Sequence, residues 1–252
     1  MSHELGLPAS LRPDPVVLYF HHVGRPFHHY TSISTAEFSL AVDAVEEVGE
    51  VVTPGARSAH DGFVLTFDDG YAETLENALS VLEDRRMVCA LFVNTATVGR
   101  KIPVPGSSET RPAATWRDLA FAVERGHVIG SHGHRHVDWT TLTAHERQEE
   151  VRRSAGDIRD NLGLPPFAFA YPYGRRPLDL PMELETHDFY ATVRERAAHH
   201  SCRPHAIRRV YLPARAPRSW PRLLRGWAEA RGSTGLCCDR DEREVVRAGH
   251  DG

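Results

Sequence analysis

Short runs of apolar and β-branched residues recur along this chain at 16–20, 63–67, 88–93, 128–130 and 167–171, with helix-length sequence between them. A run that is apolar on both faces is suited to be covered on both faces, as a parallel strand is in a layered α/β fold. Two weaker runs, at 190–193 and 207–212, bring the expected number of strands to about seven. The gaps carry helix signals. Ser34 with Glu37 has the capping-box spacing ahead of an amphipathic stretch over 38–48, and Thr143 with Glu146 repeats it ahead of a long polar helix ending near Leu162. Stretches 73–86 and 116–125 fill two more gaps. Strand and helix in alternation call for a parallel sheet, and its closure into a deformed (β/α) barrel is expected, with any active site at the C-terminal ends of the strands.

No glycine fingerprint of a dinucleotide or P-loop site follows any of these strands. The 99–114 stretch, rich in Gly, Pro and Ser, is expected to be a loop. The chain has 252 residues, 41% of them hydrophobic, enough for one large core. A single domain over 16–231 is therefore expected, with 1–15 as an N-terminal extension and 232–252 as a charged, aperiodic tail read as disordered. Acidic and basic residues nearly balance, 34 against 30, and are spread along the chain, so no basic stripe exists to neutralise phosphates and nucleic acid is not an expected partner. No stretch approaches the roughly 20 apolar residues of a membrane span, and the first 15 residues lack a signal-peptide core, so a soluble cytoplasmic protein is expected. Cys89, Cys202, Cys237 and Cys238 fit neither a disulfide framework nor a CxxC zinc site and are read as thiols without a role.

Asp68 and Asp69 stand side by side directly after one strand, with Gly70 to make the turn that exposes them. Two adjacent carboxylates in a cleft are hard to ionise together without a compensating cation. Side chains at successive positions leave a strand in different directions, so one aspartate can ligate a metal while the other stays free as a base. Ser131-His132-Gly133-His134-Arg135-His136 again follows an apolar strand. The spacing of four puts His132 and His136 on one side if the segment turns helically, and one carboxylate with two imidazoles makes a three-ligand site open to water and substrate. His134 substitutes if the segment stays extended, because a spacing of two also shares a face. Taken singly, a surface Asp-Asp-Gly turn and a histidine-rich loop account for the two clusters. Their joint placement at strand ends, where a barrel gathers its site, is what favours chemistry.

On Thr66-Phe67-Asp68-Asp69-Gly70 and the 132–136 cluster, the sequence resembles the polysaccharide deacetylases, carbohydrate esterase family 4 or the NodB-homology domain, over residues 16–212. The resemblance implies a hydrolase that removes N-acetyl groups from amino sugars with a divalent metal, usually zinc, and so a carbohydrate as the expected partner. It implies Asp68 as general base and Asp69, His132 and His136 as the metal ligands. The ion would polarise the amide carbonyl and bring the pKa of a water towards about 7. Ala170-Tyr171-Pro172-Tyr173-Gly174 resembles the family's third motif, whose tyrosine backbone N–H helps hold the oxyanion, and Tyr173 is the matching residue. A plain strand-to-loop turn is the structural alternative.

Two departures from the family pattern stand out. Ala170 occupies the place of an arginine that orients the base in many members, and Arg209 is a candidate replacement from a later strand, against the alternative of a solvated arginine. No Leu-x-His motif appears near the C-terminus. His21, at the end of the first strand, is the candidate general acid, as in the branch of the family that includes poly-N-acetylglucosamine deacetylases and has a permuted motif order. His22 points to the other side of that strand and, like His28 and His29, is read as structural or exposed. Trp116, Trp139 and Tyr71 are candidates for stacking on sugar rings, against the alternative of packing in the barrel wall. Asp138 either orients a metal ligand or caps a helix. Two other functions stay open: a metal-dependent amidohydrolase on a small nonsugar amide, and a noncatalytic carbohydrate-binding member of the family.

Overall fold

The structure, a computed structural model, describes residues 15–27, 32–54, 62–175, 189–192, 207–212 and 217–232. Strand β1 (Val16–Phe20) runs into the two-residue strand β2 (His22–Val23), which pairs with β3 (Ser32–Ile33) ahead of helix α1 (Thr35–Val48). Strand β4 (Phe63–Phe67) leads to α2 (Ala72–Glu83), and β5 (Ala90–Val93) leads through the hairpin of β6 (Lys101–Pro103) and β7 (Thr110–Pro112) to α3 (Trp116–Glu124). Then follow β8 (Val128–Ser131), α4 (Ala144–Leu162), β9 (Phe169–Ala170), β10 (Phe189–Thr192), β11 (Ile207–Val210) and α5 (Trp220–Gly232). The order β1-β11-β10-β9-β8-β5-β4 closes on itself, because β1 pairs in parallel with both β4 and β11. The result is the expected α/β barrel of parallel strands.

Alternation along the strands sorts side chains into two populations. Val17, Val64, Ala90, Phe92, Ala168 and Ala170 form one buried cluster in the lumen. Leu18, Leu65, Phe67 and Leu91 point outward into the main core, where they meet Phe38 of α1 and Leu79 of α2. Burying each such Leu or Phe contributes about 1.5–3 kcal/mol, so the outer layer carries much of the stability. The lumen is filled by one ring in particular: a Cβ added at Gly130 would stand 2.4 Å from the ring of Phe92, so glycine at that place is what admits the ring.

Both expected capping boxes form, Ser34 with Glu37 at α1 and Thr143 with Glu146 at α4, and Thr115 with Asp118 makes a third at α3. Two segments differ from expectation. The 99–114 stretch is not a plain loop but carries the β6–β7 hairpin, anchored to the β4–α2 turn by a hydrogen bond from Ala114 N–H to the Gly70 carbonyl, 2.8 Å. Helix α5 has no counterpart in the expected elements. Its Trp220 and Leu224 are buried in the main core, with Trp227 half-buried beside them, a spacing of four and three that makes an apolar stripe within an arginine-rich segment. Residues 1–14 of the expected 1–15 extension, residues 233–252 of the expected 232–252 tail, His28, His29, Cys202, Cys237 and Cys238 lie outside the described residues. Cys89 is buried.

A carboxylate and histidine site at the strand ends

Asp68 follows β4 in the same alternation as Val64 and Thr66, so its side chain enters the top of the lumen and is buried. There it meets Arg209, which reaches in from β11 and is itself fully buried. The guanidinium donates through Nη1 to Asp68 Oδ1 and through Nη2 to Oδ2, both at 2.7 Å, a bidentate fork that fixes the carboxylate plane. Nη1 also donates to Thr66 Oγ1 at 3.0 Å, and the Thr66 hydroxyl donates to the Leu18 carbonyl. The Tyr19 and Phe92 rings flank the guanidinium at 5.3 and 5.1 Å. Arg209 is therefore not a solvated arginine. Burial alone would push the Asp68 carboxyl up, but Arg209, with His132 and His21, outweighs it and holds the group well below the usual carboxylate range, ionised at neutral pH.

Asp69 turns the other way, with φ of 69°, and Asn94 at the end of β5 donates through Nδ2 to its Oδ1 at 3.2 Å. That oxygen is 3.8 Å from His132 Nε2 and 3.4 Å from His136 Nε2. Ligand atoms around a tetrahedral zinc, with bonds of about 2 Å, stand roughly 3.3 Å apart, so the three groups fit one small cation. His132 Nδ1 donates to the Ala170 carbonyl at 2.7 Å, and a carbonyl only accepts, so the proton is on Nδ1 and the Nε2 lone pair faces the cluster. Burial pulls the His132 pKa down to about 4, which keeps the ring neutral, as a ligand must be.

The two imidazoles converge by a route other than the helical turn expected from their spacing. The loop is nonhelical, bending at Gly133 with φ of 81° and at His136 with φ of 56°, and the two rings lie 5.1 Å apart. His134 is not a ligand: its Nδ1 is 2.9 Å from Thr95 Oγ1 and 3.2 Å from Asp157, away from the cluster.

His21 belongs to the lumen side of β1 by alternation, and its Nε2 is 4.0 Å from Asp68 Oδ2. His22 falls on the outer side and is buried between Ser32 Oγ and Glu73 Oε2, each at 2.9 Å. Tyr173 has φ of 59° in the turn after β9, and its backbone N–H meets no acceptor among the described residues. The residue is 62% exposed, and its ring lies 4.7 Å from that of His136. Of the candidate sugar-stacking residues, Tyr71 and Trp139 are buried wall residues, Trp139 packing on Phe169 and Tyr171, and Trp116 is half-buried against the core at the start of α3. Asp138 caps the short helix at Trp139–Thr141 and pairs with Arg175. Asn94 and Glu150 were not foreseen, and Thr66 stood in the aspartate motif without an assigned role. Asn94 carried a signal as a polar residue one step beyond a strand end, and Glu150 carried none.

One buried carboxylate–guanidinium pair, one cluster of N and O atoms that could ligate a metal and one imidazole thus gather around Asp68 and Asp69 at the strand ends, an arrangement able to activate water beside a bound cation. Among solved structures, that of IcaB from Ammonifex degensii is similar over 86% of this chain and 97% of its own, at 27% identity and a TM-score of 0.69. The Streptococcus pyogenes deacetylase PplD, solved in complex with acetate, is similar over 84% of this chain and 99% of its own, at 17% identity and a TM-score of 0.69. The BpsB deacetylase domain from Bordetella bronchiseptica, at 17% identity, 79% and 95% coverage and a TM-score of 0.60, shares the fold. No curated protein sequence matches the chain. The sequence model described as polysaccharide deacetylase matches residues 57–191, more than half of the length, and on that match the chain belongs to the polysaccharide deacetylase family.

Proposed function

We propose that the protein hydrolyses the N-acetyl group of an amino sugar, carried on an oligosaccharide, a polysaccharide or a glycosylated intermediate, with a divalent ion, most simply zinc, held by Asp69, His132 and His136. The observation that carries this reading is the buried Asp68–Arg209 fork facing the three ligand atoms, which lie within 4.8 Å of one another. A bound ion would supply Lewis acidity toward the acetamide carbonyl and lower the pKa of a nearby water.

The chain's own residues do the rest. Asp68, kept ionised and oriented by Arg209, accepts a proton from the attacking water as its oxygen bonds to the carbonyl carbon. The Tyr173 N–H donates to the oxygen that becomes negative in the tetrahedral species. His21, 4.0 Å from Asp68, donates a proton to the amide nitrogen as the C–N bond breaks, leaving acetate and a free amine.

Acetate release from N-acetylglucosamine oligomers, with and without a chelator, tests the reading. Release that the chelator abolishes is expected, as is an Asp68→Asn variant that keeps metal but loses turnover while Asp69→Ala and His132→Ala lose metal. Release unaffected by the chelator, or an active Asp68→Asn enzyme, would contradict the proposed roles.

A further inference from the structure

The loop that delivers both histidine ligands is strained at its last residue and nonhelical throughout, so something outside it must hold its course. A non-glycine residue at φ of 56°, as at His136, persists only where its surroundings over-determine it. The surroundings come mainly from α4. Glu150 lies on that helix, otherwise a polar and largely solvated element, yet its carboxylate is 2% exposed and points at the back of the loop. Its Oε2 accepts the backbone N–H groups of His134 at 2.8 Å and Arg135 at 2.9 Å, and its Oε1 accepts Arg135 Nε. Gly133 supplies the left-handed bend, with φ of 81°, that turns the loop past this carboxylate. Two lighter attachments point the same way. Ser154 of α4 accepts from Ser131 Oγ, which accepts the Gly133 N–H, and Asp157 of α4 accepts from Thr95 Oγ1, which contacts the His134 ring.

We infer that Glu150 is a positioning residue for the metal centre: by accepting two consecutive loop amides it sets the course that brings His132 and His136 together, and so sets metal affinity. This rests on the metal-site reading above. Glu150 touches neither a ligand atom nor Asp68; its action runs through backbone. A buried carboxylate is suited to the task, since charge-assisted bonds to two N–H groups hold a loop more firmly than neutral ones, and removing it would leave two amides unpaired.

Zinc titration of the metal-free full-length protein against a chromogenic chelator tests the inference, with unfolding of the metal-free form followed in parallel. Loss of a partner that orients a ligand from behind typically weakens metal binding about 10–100-fold, and that range is expected for Glu150→Ala. Glu150→Gln keeps one oxygen for the amides but turns an N–H2 toward Arg135, so a smaller loss is expected. Glu149→Ala removes only a surface partner of Arg152 and Arg153 on the same helix and is expected to bind zinc as the wild type does. A purely structural role would lower the unfolding midpoint and leave the zinc affinity of the folded variant alone. Wild-type affinity in folded Glu150→Ala, or in Glu150→Gln if the alanine variant does not fold, would overturn the inference alone. A wild type that binds no zinc overturns the metal-site reading and this inference with it.

Discussion

At the scale of single residues, the clearest lesson concerns Ala170 and Arg209. A sequence motif records which residue is missing from its usual place, and Ala170 shows an absent arginine. Whether another arginine fills the space depends on which strands share a lumen, and that is a property of the closed ring. The sequence offers Arg209 as a candidate against the alternative of a solvated arginine, and the choice is made only where β11 lies beside β1 and its fork meets Asp68. Breaking a buried pair by removing one partner leaves an uncompensated charge, which costs about 3–5 kcal/mol. Arg209→Met should lose that much, read from denaturant midpoints. Adding Asp68→Asn should recover much of the stability, because the stranded charge is gone, while acetate release stays abolished. An Arg209→Met protein as stable as the wild type would show that the pair is not the buried, desolvated one described here. His21 and His22 make the complementary case. Adjacent histidines on a strand must face opposite ways, so their division of labour was legible from alternation alone.

Elements held together by local contacts were legible; those held by distant ones were not. The capping boxes of α1 and α4 are four-residue patterns that close on themselves, and both formed where the spacing placed them. The 132–136 loop shows the limit of spacing. A separation of four suggested a helical turn, but the loop reaches the same convergence through a left-handed residue and bonds to α4, none of which is written locally. Helix α5 went unforeseen for a related reason: its apolar stripe is thin and flanked by arginines, and it is given meaning only by α1, against which it packs. Because Leu224 is fully buried there, Leu224→Ala should cost about 2–5 kcal/mol through lost burial and an unfilled cavity. Leu224 packs in the main core, outside the lumen where Asp68 meets Arg209, so acetate release well below the unfolding temperature should be unchanged. A midpoint within error of the wild type would mean that α5 is not part of the core.

For the whole molecule, alternation of strand and helix pointed to the barrel, and the barrel told where the site must be, at one end of the ring. What the pattern could not convey is how much ionisable chemistry the barrel buries. His22, His127 and His132 all have pKa values lowered from 6.5, with burial as the leading cause in each, and His132 reaches about 4. They are spread over the fold: His22 beside the β2–β3 pair, His132 in the site, and His127 ahead of β8, where its Nδ1 accepts the Cys89 backbone N–H at 3.2 Å. A folded-state pKa below the unfolded value means that the unfolded chain takes the proton first as pH falls. Their contribution is therefore fully present above pH 6.5 and drains as pH falls below it, for His132 down to about 4. Asp68 adds a loss in the same direction lower down, below the 3.8 of a free carboxyl. His132 alone should account for about 2 kcal/mol between pH 6.5 and about 5, since each pH unit in that window is worth roughly 1.4 kcal/mol per group. Measured on chelator-treated protein, to keep metal release out of the result, the denaturant midpoint should hold steady above neutrality and fall steeply between pH 6.5 and about 5. A midpoint that stayed level through that window would mean that these histidines are hydrated in the folded chain rather than packed beside β1 and β8.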